Sequence, residues 1–106
     1  MTIQAISPLD LQQQLTEPSA DYFLLDVREV FEYEIAHIAG SHLIPMNQIA
    51  DRMDEIERKK IIAICHHGMR SAQVAHFLDE QGFTVFNLTG GIDAWAKSCD
   101  ANMSLY

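Results

Sequence analysis

The segment with the greatest chemical potential is Cys65-His66-His67-Gly68-Met69-Arg70-Ser71, which gathers a thiol, two imidazoles, a guanidinium and a hydroxyl. The residues on either side predict where it sits. Ile61-Ile62-Ala63-Ile64 is an apolar, β-branched run of the kind found in strands covered on both faces, and helical periodicity begins near Arg70. Cys65 therefore ends a strand, in a loop that enters a helix. The first amides of a helix lack intrahelical partners and carry about half a positive charge, so a tight loop there wraps N–H donors around an anion. Gly68 supplies the positive φ that such wrapping uses. The anion closest to hand is the Cys65 thiolate, which makes Cys65 a candidate nucleophile. Arg70 adds a permanent charge whose forked donors suit a sulfonate or a phosphate. A cysteine closing an apolar strand is ordinarily core. Glycine and arginine in the following loop favour a site instead, because loops after strands are where α/β sheets concentrate function.

The elements that must hold this loop are legible as alternating patterns. Tyr22 to Val27, Ile61 to Cys65 and Thr84 to Leu88 read as strands, with shorter ones at Ile3 to Ile6 and His42 to Ile44. Ser7 and Pro8 read as the cap and first residue of a helix in which Leu9, Leu11 and Leu15 supply apolar contacts. Asn47 reads as the cap of a helix with Ile49, Met53 and Ile56 on one stripe. Val74, Ala75 and Leu78 form another stripe, closed by Gly82 and Phe83, and Ile92, Trp95, Ala96 and Cys99 form a last one. Strands alternating with helices predict an α/β fold, with a mostly parallel central sheet and helices on both faces. In such sheets ligands bind beyond the carboxyl ends of the strands, where Cys65 falls.

With 106 residues, 12.0 kDa and 48% hydrophobic residues, the expectation is one domain over 1–106. Seven basic residues against 15 acidic ones give a net charge of −8, which repels phosphate backbones and anionic membranes and argues against nucleic-acid or membrane partners. The opening MTIQAISP has neither the basic region nor the apolar stretch of a secretion signal, so the mature chain is expected to begin at Met1. Two cysteines, no apolar run of membrane length and no evident leader predict a reducing, cytoplasmic setting.

Four stretches, taken in order and spacing, resemble the rhodanese domain of sulfurtransferases. Leu24-Leu25-Asp26-Val27-Arg28, Glu32-Tyr33 and His37 to Pro45 resemble its long N-terminal signature. Cys65 to Ser71 resembles its active-site loop, and Asn87 to Trp95 its C-terminal signature. The short chain is similar to the stand-alone single-domain members. The resemblance spans about 3–97, leaving a tail over 98–106. It implies a single rhodanese-like domain and a double-displacement enzyme, a thiosulfate sulfurtransferase needing no cofactor. A Cys65 thiolate would take the outer sulfur of thiosulfate or of a persulfide donor, and a thiol or cyanide would then receive it. It further implies that the amides of His66, His67, Gly68, Met69, Arg70 and Ser71 cradle the persulfide. Arg70 would bind the donor's sulfonate or steady the loop, and Asp26 and Arg28 would support the loop; for Asp26 the alternative is a surface acid capping the next helix. Four residues separate Cys65 from Arg70, as in sulfurtransferases, whereas the related phosphatases and arsenate reductases place one residue more. A phosphatase-like enzyme is the lesser alternative. A sulfur carrier serving protein donors and acceptors is the other.

Several residues tempt and are set aside. Adjacent His66 and His67 suggest zinc, but neighbouring imidazoles in one tight loop do not easily face one ion, and no second ligand cluster with suitable spacing exists, so no metal is predicted. They are expected to rim the pocket. His37 belongs to the matched signature, His42 has no such context, and His76, two residues from both Val74 and Leu78, should face solvent. Cys99 lies on the stripe of Ile92 and Trp95, which argues against a resolving thiol. Gly90-Gly91 reads as a tight turn into the last helix.

Overall fold

The computed structural model describes residues 3–17 and 21–106. Strands β1 (Gln4–Ile6), β2 (Tyr22–Asp26), β3 (His42–Leu43), β4 (Lys60–Ile64) and β5 (Thr84–Leu88) form one sheet in the order β1-β5-β4-β2-β3, with every pairing parallel. Helices α1 (Pro8–Leu15), α2 (Val30–Ile35), α3 (Met69–Glu80) and α4 (Gly91–Cys99) lie between them. From β2 the chain moves outward to β3 on one side, and from β4 it moves outward to β5 on the other. The reversal leaves a crevice beyond the carboxyl ends of β2 and β4. Arg28 and Cys65 occupy those two ends.

The central strand β4 explains why the run before Cys65 is apolar throughout. Ile61, Ala63 and Cys65 face one core with Leu25, Val74, Ala75 and Leu78, while Ile62 and Ile64 face the other with Leu11, Leu24, Leu88 and Trp95. Side chains alternate across a strand, so a strand sandwiched between two helical layers must be hydrophobic at every position. The Ser7 cap is as expected, its hydroxyl accepting from the Asp10 amide at 3.1 Å with Pro8 in the first helical turn. Phe83 donates its amide to Leu78 O at 3.0 Å, closing α3 at the Gly82 turn.

Three expectations need correction. The helix expected after Asn47 is two separate 3-10 turns, Met46–Gln48 and Met53–Glu55, so the apolar stripe is real while the regular helix is not. Ile49 and Ile56 are both buried in the α3-side core, which docking of the segment achieves without a continuous helix. In α1, Leu11 is buried but Leu9 is 60% exposed. The sequence pattern marks no helix after Arg28, where the structure has α2. It runs six residues, opened by a reciprocal capping box in which the Glu29 amide donates to Glu32 at 2.9 Å.

Ile62 is wholly buried in the sheet centre. Ile62→Ala is expected to cost about 2–5 kcal/mol, read from the midpoint of a denaturant titration at unchanged slope.

Candidate active site

Cys65 follows β4 directly and is 1% exposed, with Sγ turned into the loop that leads to α3. The Gly68 amide donates to Sγ at 3.0 Å, and the Ser71 hydroxyl lies 3.3 Å away. The same hydroxyl also reaches Asn87 Oδ1, and its single proton serves one of the two at a time. Asn87 sits in β5 and donates Nδ2 to Gly68 O at 3.0 Å, tying the turn of the loop to the neighbouring strand. Gly68 has φ +103°, as its turning role requires.

What orients the loop is α4. Two amides of its first turn, Ile92 and Asp93, donate to the carbonyls of Cys65 and His66 at 2.8 and 3.1 Å. The unsatisfied N–H groups of one helix start thus hold the carbonyls of the Cys65 loop outward. The Gly68 amide is left facing the sulfur. The approach is so close that a Cβ on Gly91 would lie 2.4 Å from both the Cys65 and His66 carbonyl oxygens, and Gly91 has φ +62°. The paired glycines are therefore more than a turn; they are the contact surface on which the loop rests.

Asp26 is not a surface acid. Asp26 and Arg28 are both fully buried and joined in a bidentate pair at 2.8 and 2.6 Å. Arg28 also donates to Glu32 O at 3.3 Å, Ala36 O at 2.7 Å and Tyr106 Oη at 2.7 Å, so all five of its N–H donors have partners. A buried ion pair needs such complete satisfaction to offset desolvation. The pair fixes α2, and α2 presents Glu32 to the loop. Glu32 grips Arg70 through two parallel bonds of 2.7 and 2.8 Å, and this grip, ahead of the opposing effect of burial, holds its carboxyl down at about 2.

Of the expected loop residues, Cys65, Gly68 and Ser71 converge at the sulfur. Met69 points outward, 79% exposed. Arg70 is committed to Glu32, which favours the loop-steadying reading over sulfonate binding. His66 lies between two rings, stacked on His67 at 3.9 Å and on Tyr106 at 4.0 Å. Burial and the neighbouring His67 push its pKa below the usual imidazole value. Contrary to the expectation for adjacent histidines, ligand atoms of His66, His67 and Asp93 come within 4.8 Å of one another. The two imidazoles are stacked, with their ring planes 28° apart. His37 stacks on Tyr33, His42 bonds Glu55 at 2.9 Å, and His76 is exposed. Cys99 is half-buried, and burial raises its pKa.

Three further residues join this constellation without being marked out by the sequence pattern: Glu32, Asn87 and Tyr106. The first two lie inside the matched signatures and could have been questioned as polar residues at element ends. Tyr106 carried no sequence signal.

With this geometry in place, comparison with known proteins decides the family. The Rhodanese-like domain model matches residues 7–98. The chain belongs to the rhodanese-like family. It is 40% identical over 77 residues to the thiosulfate sulfurtransferase GlpE of Pseudoalteromonas translucida, covering 71% of this chain and 73% of that one. It is 38% identical over 96 residues to YtwF of Bacillus subtilis, a candidate sulfurtransferase, covering 90% and 92%. A rhodanese-related protein of Thermoplasma volcanium superimposes with a TM-score of 0.82 at 35% identity, covering 91% and 93%. Such relatives place the chain among rhodanese-like sulfurtransferases and sulfur carriers, whose work implies a sulfur donor or acceptor. Among the described residues, no helix is long and apolar enough to cross a membrane.

Two outcomes follow. Gly91→Ala should push the loop carbonyls aside and lower Cys65 reactivity about 100-fold, measured as the rate of thiol alkylation against the unmodified chain. The Glu32 carboxyl falls from 4.5 to about 2 on folding, so its contribution is complete above pH 4.5 and is lost as pH drops toward 2. Acid titration of the denaturation midpoint should show a loss of about 1–2 kcal/mol across that window, allowing for solvent around Arg70, and Glu32→Gln should remove it.

Proposed function

We propose that the chain is a sulfurtransferase that carries sulfane sulfur as a persulfide on Cys65. The Cys65 thiolate attacks the outer sulfur of the donor. A bond forms from Sγ to that sulfur, the donor's own sulfur–sulfur bond breaks, and its electron pair departs on sulfite from thiosulfate or on a thiolate from a persulfide. In the second half-reaction a thiolate or cyanide attacks the outer sulfur and the pair returns to Sγ. Both halves place negative charge on sulfur. The single observation that carries the reading is the Gly68 N–H aimed at Sγ from a loop pinned by α4, a preorganised donor for that charge. Gly68, Ser71 and, through Asn87, β5 hold the persulfide; Arg70, Glu32, Arg28 and Asp26 hold the loop; His66, His67 and Met69 form its rim.

A carrier that only passes sulfur between proteins shares the first step. This reading has support from the 38% identity to YrkF of B. subtilis, a candidate sulfur carrier protein, of which the chain covers 48%. The two differ in turnover with a small acceptor. The net charge of −8 also suits a protein donor or acceptor better than long-range capture of a small dianion. The phosphatase alternative has less support, because the four-residue spacing between Cys65 and Arg70 leaves a smaller ring and Arg70 is occupied.

Mass spectrometry after incubation with thiosulfate or an organic persulfide should show one added sulfur on Cys65. Cys65→Ser should abolish the gain, and Cys99→Ser should leave it intact. Absence of the added sulfur with every donor would overturn the reading. Repeated conversion of cyanide to thiocyanate would make the chain an enzyme rather than a carrier, and hydrolysis of p-nitrophenyl phosphate at comparable efficiency would favour the phosphatase.

A further inference from the structure

Around Cys65 the structure neutralises the charge an inorganic anion would need. Arg70 is the arginine of the loop-to-helix segment, and Glu32 accepts from both terminal nitrogens of its guanidinium. Glu32 is itself held from a second direction, since the Tyr106 hydroxyl donates to Oε1 at 3.1 Å and its backbone-side oxygen accepts from the Glu29 amide. Arg28 is buried and fully partnered. Lys97 pairs with Asp93 at 3.0 Å, and His66 is biased toward its neutral form. Among the described residues at this end of the sheet, every lysine and arginine faces a carboxylate. The sequence neighbours of the clamp are apolar and open to solvent: Phe31 is 64% exposed, Met69 79% and Leu105 56%. The Tyr106 ring, stacked on His66, extends this surface to the rim of the loop.

We propose that Glu32, steadied by Tyr106, is a specificity-determining residue: by balancing the charge of Arg70 it makes the site take sulfur from an organic persulfide, R–S–SH or its monoanion, of the kind a peptide cysteine carries, faster than from the thiosulfate dianion. The inference rests on the Cys65 persulfide reading and concerns only which donor loads it. A dianion approaching this rim meets a guanidinium whose charge Glu32 already balances, on a chain of net charge −8, whereas an R–S–SH donor depends less on a free cation. The balance is simple. The thiolate bonds to the terminal sulfur of R–S–SH, the sulfur–sulfur bond of the donor breaks, R–S⁻ leaves with the electron pair, and the proton stays on the transferred sulfur. The apolar rim gives the R group a surface to lie against.

The test is the second-order rate at which Cys65 gains sulfur from thiosulfate and from N-acetylcysteine amide persulfide, a peptide-like donor with no ionisable group besides its persulfide, followed by mass spectrometry. Wild-type chain should load at least about tenfold faster from the persulfide. Glu32→Gln keeps an acceptor for the Glu29 amide and frees the charge of Arg70, and should raise the thiosulfate-to-persulfide ratio about tenfold. Tyr106→Phe retains the ring and removes only the hydroxyl, and should move the ratio the same way by about two- to threefold. A general loosening of the fold would change both rates together and leave the ratio where it was. Equal or faster wild-type loading from thiosulfate, or an unchanged ratio in Glu32→Gln, would overturn the inference while the persulfide reading stands. Should Glu32→Gln fail to fold, the wild-type rates and Tyr106→Phe decide the matter. Loading from neither donor would instead defeat the persulfide reading itself.

Discussion

The site depends on a single exchange of hydrogen bonds between two segments far apart in sequence. The first-turn amides of α4 take the carbonyls of Cys65 and His66, and in doing so turn the loop so that an N–H faces the sulfur. Neither partner achieves this alone. A helix start needs acceptors for its free amides, and a tight loop needs somewhere to send its carbonyls. Each supplies the other, and Gly91 is required because the two backbones meet closer than any side chain permits.

A second layer fixes the same loop from the opposite side through charge. The Asp26–Arg28 pair is wholly buried and by itself promises little net stability, since two desolvated charges roughly offset their attraction. Its value lies in geometry. Every donor of Arg28 is directed, two of them to the carbonyls of Glu32 within α2 and Ala36 at its C-cap, so the helix carrying Glu32 cannot rotate without breaking buried bonds. Glu32 then sets Arg70, and Arg70 belongs to the first turn of α3, which leaves the Cys65 loop. A short, six-residue helix becomes a rigid arm by being anchored at its backbone rather than by packing a broad apolar face.

The parts of this arrangement that the sequence reveals are those governed by local rules. The doubly buried β4, the Ser7 cap, the apolar stripe of α4 and the strand-to-helix placement of Cys65 all follow from residue type and period. Where tertiary contacts overrode local pattern, reading along the chain failed. Ile49, Met53 and Ile56 keep helical spacing, yet the segment docks as two 3-10 turns because burying those side chains against α3 matters more than completing a helix. The hidden half of the site is polar and long-range. Glu32 meets Arg70 across 38 positions and Tyr106 meets Arg28 across 78, and no periodicity records such encounters. Asp26 left two readings open, loop support or a surface acid, because a carboxylate is rarely buried without its partner and the pairing with Arg28 shows only in the fold.

The sheet ends in its two shortest strands, three residues in β1 and two in β3. An exposed β-edge is a template for another chain's backbone, and its hazard grows with the length of the unpaired ladder. Flanks this brief leave little for a foreign strand to extend. Crowded against other polypeptides, the molecule therefore runs small risk of fusing to them rim to rim into aggregates.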